Sequence, residues 1–258
     1  TADSQIMKST RKAGPPLLTQ LESQVHVWFA RPEAAPDPAR LACYASMLSA
    51  AEKTRHQRFH FDRDRHLFLV SHALVRSVLS SDVDVEPSGW QFSSNDFGRP
   101  GIVNPDVPRT LRFNLSHTAG LAACVVTLNA DCGIDAERIH VRGDQMGIAR
   151  KMFAAPELAE LKKLRGQAFL ERFLVYWTLR EAYCKALGVG IAHAGRGFCF
   201  EAGNDGSYGI RFESPSGGGH DMHWRFTIIR PGADHMVAVA VRSEDLSGRE
   251  VVQRFIVP

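Results

Sequence analysis

Two apolar runs, LAACVVTL (residues 121–128) and CGIDAE (132–137), are separated only by Asn-Ala-Asp. So short a polar link between strand-like runs predicts an antiparallel hairpin and makes sheet the centre of the fold. The second run carries two acids one residue apart. Side chains on a strand alternate faces, so Asp135 and Glu137 are expected to point the same way. Like charges on one face raise each other's pKa unless a cation lies between them. Mg²⁺ suits that need, because it takes a few carboxylates and completes its shell with water and phosphate oxygens. A solvated strand end, partly neutralised by Arg138, is the plainer alternative.

The flanking segments read as mixed structure. VHVWFA (25–30) is a strand, and helices are expected over about 41–58 and 64–79. The second of these carries Leu67, Val70, Leu74, Val75, Val78 and Leu79 at helical spacing. WQFSS (90–94) and LRFNLSHT (111–118) are strand-like, with NDFGRPG as a turn. MGIARKMFAAPELAELKKL holds one or two helices, with Pro156 suited to a first turn. FLERFLVYWTLREAYCKALG is a long helix stopped by Gly188. FCFEA, YGIRFE, HWRFTIIR and MVAVAVR then alternate strands with turns. The class is α+β. Helices followed by strands occur twice and meet near Asn129, which divides the chain into a flexible tail (1–20), an N-terminal half (21–129) and a C-terminal half (130–258).

A chain of 258 residues, 44% of them hydrophobic, can bury a full core. Lys and Arg number 31 against 28 Asp and Glu, a balance that argues against a dedicated nucleic-acid binder and permits a local anion site. No run of 18 apolar residues suggests a membrane span. The N-terminal TADSQIMKSTRKAGPP lacks an apolar signal core. The five cysteines form no CxxC pair. Cys124, Cys132 and Cys199 sit in apolar strand runs, as buried free thiols of a reducing cytosol do.

In WTLREAYCKALG, Trp177, Glu181 and Lys185 are spaced i, i+4, i+8 along one helix face. A surface Glu–Lys pair worth about 0.2–0.5 kcal/mol is the plain reading. In FNLSHT, Ser116 and His117 are adjacent and face opposite ways, so they cannot form a nucleophile–base pair; the G-x-S-x-G elbow is also absent. An anion contact stays open to them. Lys53, Arg55 and Arg99 are cations on helix or loop. His56 and His60 lack the Glu of H-E-x-x-H and a third zinc ligand. SPSGGGH lacks the Lys-Ser/Thr of a P-loop and reads as a turn.

Taken in order, EK-x-R, G-R-P, FN-L-SH, GID-x-E-R and W-x-x-R-E-A-x-x-K-A-x-G, spanning Glu52 to Gly190, resemble the 4′-phosphopantetheinyl transferases of the Sfp type. The resemblance implies a pseudodimer of two similar α+β halves with the active site in the cleft between them. It implies transfer of the 4′-phosphopantetheine arm of coenzyme A to a serine of an apo carrier protein, acyl or peptidyl, with release of adenosine 3′,5′-bisphosphate: holo-[acyl-carrier-protein] synthase activity. Carried over by position, Asp135, Glu137 and Glu181 would hold Mg²⁺, or Mn²⁺ in its place, against the pyrophosphate. Glu181 would also serve as base for the carrier serine, directly or through a metal-bound water. Lys185 would neutralise the leaving phosphate. His117 and Arg55 match contacts to the 3′-phosphate, and Lys53, Arg99 and Ser116 further coenzyme contacts. One departure is Arg180, where the family usually has Lys, which puts a phosphate contact there in doubt. A cytosolic monomer is expected, since both halves of the site come from one chain. The same acids would also serve a Mg²⁺-dependent phosphohydrolase or nucleotidyl transferase, and the same surface a non-catalytic coenzyme A or carrier-binding module.

Overall fold

A computed structural model describes residues 17–35, 37–141, 143–191, 197–204, 206–212, 219–246 and 249–258. The predicted tail lies outside the described residues up to position 16, and Leu17–Gln20 form a helical turn, α1. The first half continues with β1 (Gln24–Ala30), α2 (Pro38–Met47), α3 (Ala50–Gln57), α4 (Asp62–Asp82), β2 (Phe92–Ser94), β3 (Pro100–Ile102), β4 (Leu111–Thr118) and β5 (Leu121–Leu128). The helix expected over 41–58 is two helices. Ser49 leaves the helical region and starts α3 with a capping box: its hydroxyl accepts from the Glu52 N–H while the Glu52 carboxylate accepts from the Ser49 N–H.

The second half comprises β6 (Asp131–Arg138), α5 (Gln145–Met152), α6 (Ala155–Leu161), α7 (Gly166–Leu187), β7 (Phe198–Ala202), β8 (Ser207–Phe212), β9 (Gly219–His220), β10 (Trp224–Ile229), β11 (His235–Arg242) and β12 (Glu250–Phe255). Gly188 closes α7 in the left-handed region at φ 72°. Most of SPSGGGH falls at 213–218, outside the described residues; its last two residues are β9.

One sheet runs β12-β1-β5-β4, another β6-β11-β10-β8-β7, and β2 and β3 make a separate ribbon. The hairpin predicted at 121–137 does not form. β5 pairs with β1 and β4, and β6 pairs with β11. The Asn-Ala-Asp link instead carries the chain from one sheet to the other, with Asn129 at φ 56°. β5 is apolar on both faces and β6 on the face carrying Cys132, Ile134 and Ala136, and stacking the two face to face buries these side chains between the sheets. Val25, Val27, Phe29, Leu121, Ala123 and Val125 meet Cys132, Ile134, Ala136, Val237 and Val239 between the sheets. The outer face of the first sheet packs on α4, and that of the second on α7. The order is helix, sheet, sheet, helix: two like α+β units back to back, as a pseudodimer requires. The last strand crosses over, β12 lying parallel to β1 in the first sheet.

Candidate active site

The outward face of β6 toward α7 has a glycine, an aspartate and a glutamate in alternate positions. At Gly133 a Cβ would stand 2.1 Å from the Ala182 carbonyl oxygen, so only glycine lets helix and strand approach so closely. Two residues on, Asp135 Oδ1 accepts from Lys185 Nζ at 2.6 Å. Two further, Glu137 Oε1 accepts from Trp177 Nε1 at 3.3 Å. The predicted common face of Asp135 and Glu137 is therefore real, and α7 runs antiparallel against it. Lys185 pairs with Asp135 across elements, so the surface Glu–Lys reading gives way to a bridge between strand and helix.

Asp135 is only 6% exposed, and its Oδ2 is buried with no hydrogen-bond partner. Glu181 is half-buried between these charges. Desolvation raises its pKa above the ordinary carboxylate range; Asp135 and Glu137 add to the rise, and Lys185 opposes it. The three acids thus feel one another, yet among the described residues no three His, Cys, Asp or Glu side chains are gathered to enclose a metal ion by themselves.

Arg99, from the β2–β3 turn, donates to the carbonyls of Ala186 at 2.7 Å and Cys132 at 3.2 Å, clamping the end of α7 to β6. Asn95 reaches the Gly188 carbonyl at 2.8 Å. The first half supplies cations from α3 and β4. His117 opens to solvent on one side of the cleft but is crowded on the others; desolvation lowers its pKa, and Lys185 and Arg55 lower it further. Arg55 lies 5.6 Å over the Phe68 ring. Lys53 is exposed on the same helix, two residues away and so on another side of it. Ser116 faces away from His117, as strand alternation requires, and bonds to Asp135 and Lys185.

Arg180 is not in the cleft. It is fully buried, pairs with Glu157 at 2.8 Å and stacks 4.2 Å above Phe198. One residue along a helix turns about 100°, which sends Arg180 into the second core while Glu181 faces β6. Two residues of this region escaped the reading by motif. His72 stacks on Phe68 at 3.8 Å, and its pKa, lowered chiefly by desolvation, responds to His117 and Arg55. Arg76, 1% exposed, donates to Glu52 at 2.6 Å and holds α3 against α4. The capping-box pattern Ser-Ala-Ala-Glu could have marked Glu52; nothing local marks His72.

His117 feels both Arg55 of the first half and Lys185 of the second, which in turn lies in the field of the three acids, so cations of one half stand beside the acids of the other. Residues 131–240 match the family described as the 4′-phosphopantetheinyl transferase superfamily, and residues 33–129 that described as 4′-phosphopantetheinyl transferase, N-terminal. The 4′-phosphopantetheinyl transferase HetI of a Nostoc species is 35% identical over 72% of this chain and 78% of its own. A phosphopantetheinyl transferase of a Thraustochytrium species is 28% identical over 83% of this chain and 77% of its own. Sfp of Bacillus subtilis is 28% identical over 65% and 72% respectively. A solved holo-(acyl-carrier-protein) synthase from Bacillus anthracis covers 44% of this chain and 96% of its own at 20% identity and a TM-score of 0.35, a likeness too slight to argue from. The chain belongs to the 4′-phosphopantetheinyl transferase superfamily.

Proposed function

We propose that this chain moves the 4′-phosphopantetheine arm of coenzyme A onto a serine of an apo carrier protein and releases adenosine 3′,5′-bisphosphate. The observation that carries the reading is the bridge between Asp135 on β6 and Lys185 on α7, beside a Glu181 whose pKa is raised. Glu181 lies on the face of α7 turned toward β6 and is the carboxylate placed to take the serine proton. Lys185 is one turn away and donates to the phosphate that leaves. His117 and Arg55 suit the 3′-phosphate: a neutral, cation-flanked imidazole gains a proton as an anion arrives. Lys53 and Arg99 are proposed as further coenzyme contacts.

Asp135, Glu137 and Glu181 are the residues that would hold Mg²⁺, or Mn²⁺ in its place. The fit rests on three hard-oxygen donors within one another's field and on the orphaned Asp135 Oδ2. An ion that takes one or two carboxylates and fills its shell with phosphate needs no closed protein cage. When bound, it supplies charge neutralisation at the pyrophosphate.

No helix among the described residues is long and apolar enough to cross a membrane. The five cysteines are free and four are buried, which supports placing the protein in a reducing cytosol. The decisive experiment combines protein, coenzyme A, Mg²⁺ and a panel of apo carriers. A carrier mass increase of one phosphopantetheine is expected; phosphate release without carrier labelling would make the protein a hydrolase, and neither product a binding module.

A further inference from the structure

β4 ends the first sheet and β6 begins the second, and the two edge strands lie side by side without a shared ladder. An edge strand leaves every second N–H pointing away from its own sheet. On β6 two such groups are those of Ile134 and Ala136. Ile134 N–H donates to Asn114 Oδ1 at 2.9 Å, and Ala136 N–H to Ser116 Oγ at 3.1 Å. Asn114 and Ser116 are two residues apart on β4 and share a face, and both are buried. Their side chains stand where a neighbouring backbone would have supplied acceptors.

Ser116 is committed further. Its oxygen accepts from Lys185 Nζ at 3.0 Å and lies 3.2 Å from Asp135 Oδ1. A hydroxyl has one proton and two lone pairs. Ala136 and Lys185 use the lone pairs, and the proton goes to Asp135 Oδ1. Nothing is left over for a phosphate oxygen. We infer that Asn114 and Ser116 are positioning residues: they stitch the two halves together, and Ser116 fixes the Asp135 carboxylate so that Oδ2 stays available to a cation. This replaces the coenzyme contact that family position suggests for Ser116, and it rests on the transferase reading only where activity is measured.

Calorimetric titration of Mn²⁺ into Ser116→Ala, Ser116→Thr and the unaltered protein tests the inference, with thermal melting as a check on folding. Removing an outer hydrogen bond to a metal ligand typically costs about 10–100-fold in affinity. Ser116→Ala should weaken Mn²⁺ at the low end of that range, and Ser116→Thr, which keeps the hydroxyl, should recover most of it. The coenzyme A KM at saturating metal should barely move. An unchanged Mn²⁺ affinity with a raised coenzyme A KM would make Ser116 a coenzyme contact and overturn the assignment. Amide hydrogen exchange on the unaltered protein tests the seam without any variant: slow exchange at both Ile134 and Ala136 supports it, and fast exchange overturns it. If no carrier is labelled, the transferase reading fails, while the titration and the exchange still judge the stitch.

Discussion

Asp135 and Glu181 sit in the same field of charge, yet different chemistry is asked of them. Asp135 already spends one oxygen on Lys185 and Ser116, so it can orient and ligate but has little freedom to carry a proton. Glu181 projects from α7 beside these charges and is proposed to do both. Asp135→Asn should lose metal affinity and regain much of its rate in excess Mg²⁺. Glu181→Gln should stay depressed at saturating metal, coenzyme and carrier, by about 10²–10⁴-fold if the base is lost. Equal recovery of kcat in both variants would reduce Glu181 to a ligand. A second residue-scale test lies away from the site. His26 on β1 and Asp82 at the end of α4 are buried 3.9 Å apart, with Arg254 nearby; burial pushes Asp82 up to about 7 and His26 down to about 4. The folded state therefore holds a proton on Asp82 that the unfolded chain gives up above its ordinary pKa, so this carboxyl costs stability increasingly as pH rises from about 4 through 7. His26 acts oppositely, losing stability as pH falls from 6.5 through about 4. Asp82→Asn removes only the first effect. Its melting temperature should exceed that of the unaltered protein by more at pH 8 than at pH 5, and a pH-independent difference would refute the buried carboxyl as the cause.

At the scale of elements, the meeting of β6 with α7 decides whether a site exists. Gly133 lets the backbones touch, and Arg99 ties the Cys132 carbonyl to that of Ala186 on either side of it. Gly133→Ala would place a methyl carbon 2.1 Å from the Ala182 oxygen and 2.5 Å from the Ala186 nitrogen. Both are backbone atoms and cannot rotate away, so α7 must shift. Overpacking of this kind costs about 1–3 kcal/mol or more. The melting temperature should fall by about 5–10 °C. Activity measured well below the melt should fall as well, because Lys185 moves with the helix; full activity at reduced stability would show that the site tolerates the shift. This junction was half legible beforehand. The periodicity of α7, its glycine stop and the alternate acids of β6 are local, and they read correctly. The break between α2 and α3 is also local, written in the Ser49–Glu52 capping box. That 121–128 and 132–137 belong to different sheets was not legible, because both patterns suit a hairpin and only the competition for buried partners decides. The direction of Arg180 follows from helix geometry once Glu181 is aligned, whereas its partner Glu157 is known only from packing.

For the whole molecule, one chain supplies both walls of the cleft, so no second copy is required. Sedimentation at micromolar concentration should give about 28.6 kDa, with specific activity independent of dilution; an obligate trimer would contradict this. What keeps the halves together beyond the seam is the return of β12 to β1, a parallel pairing from Gln24↔Glu250 to Phe29↔Phe255. A contact between positions so distant in sequence has no local signature. It matters because β1 would otherwise be an exposed sheet edge, its inner face carrying Val25, Val27 and Phe29 of the core shared by both sheets. Phe255 packs on Phe29 at 5.1 Å, and Arg254 lies 5.0 Å over Trp28. A chain ending before Glu250 would uncover that edge without touching any proposed site residue. It should melt earlier and aggregate at concentrations where the full chain stays monomeric. Its soluble monomeric fraction should retain the KM values for coenzyme A and carrier, since α3, β4, β6 and α7 keep their partners. Altered KM values with unchanged melting would instead mean that β12 shapes the cleft itself.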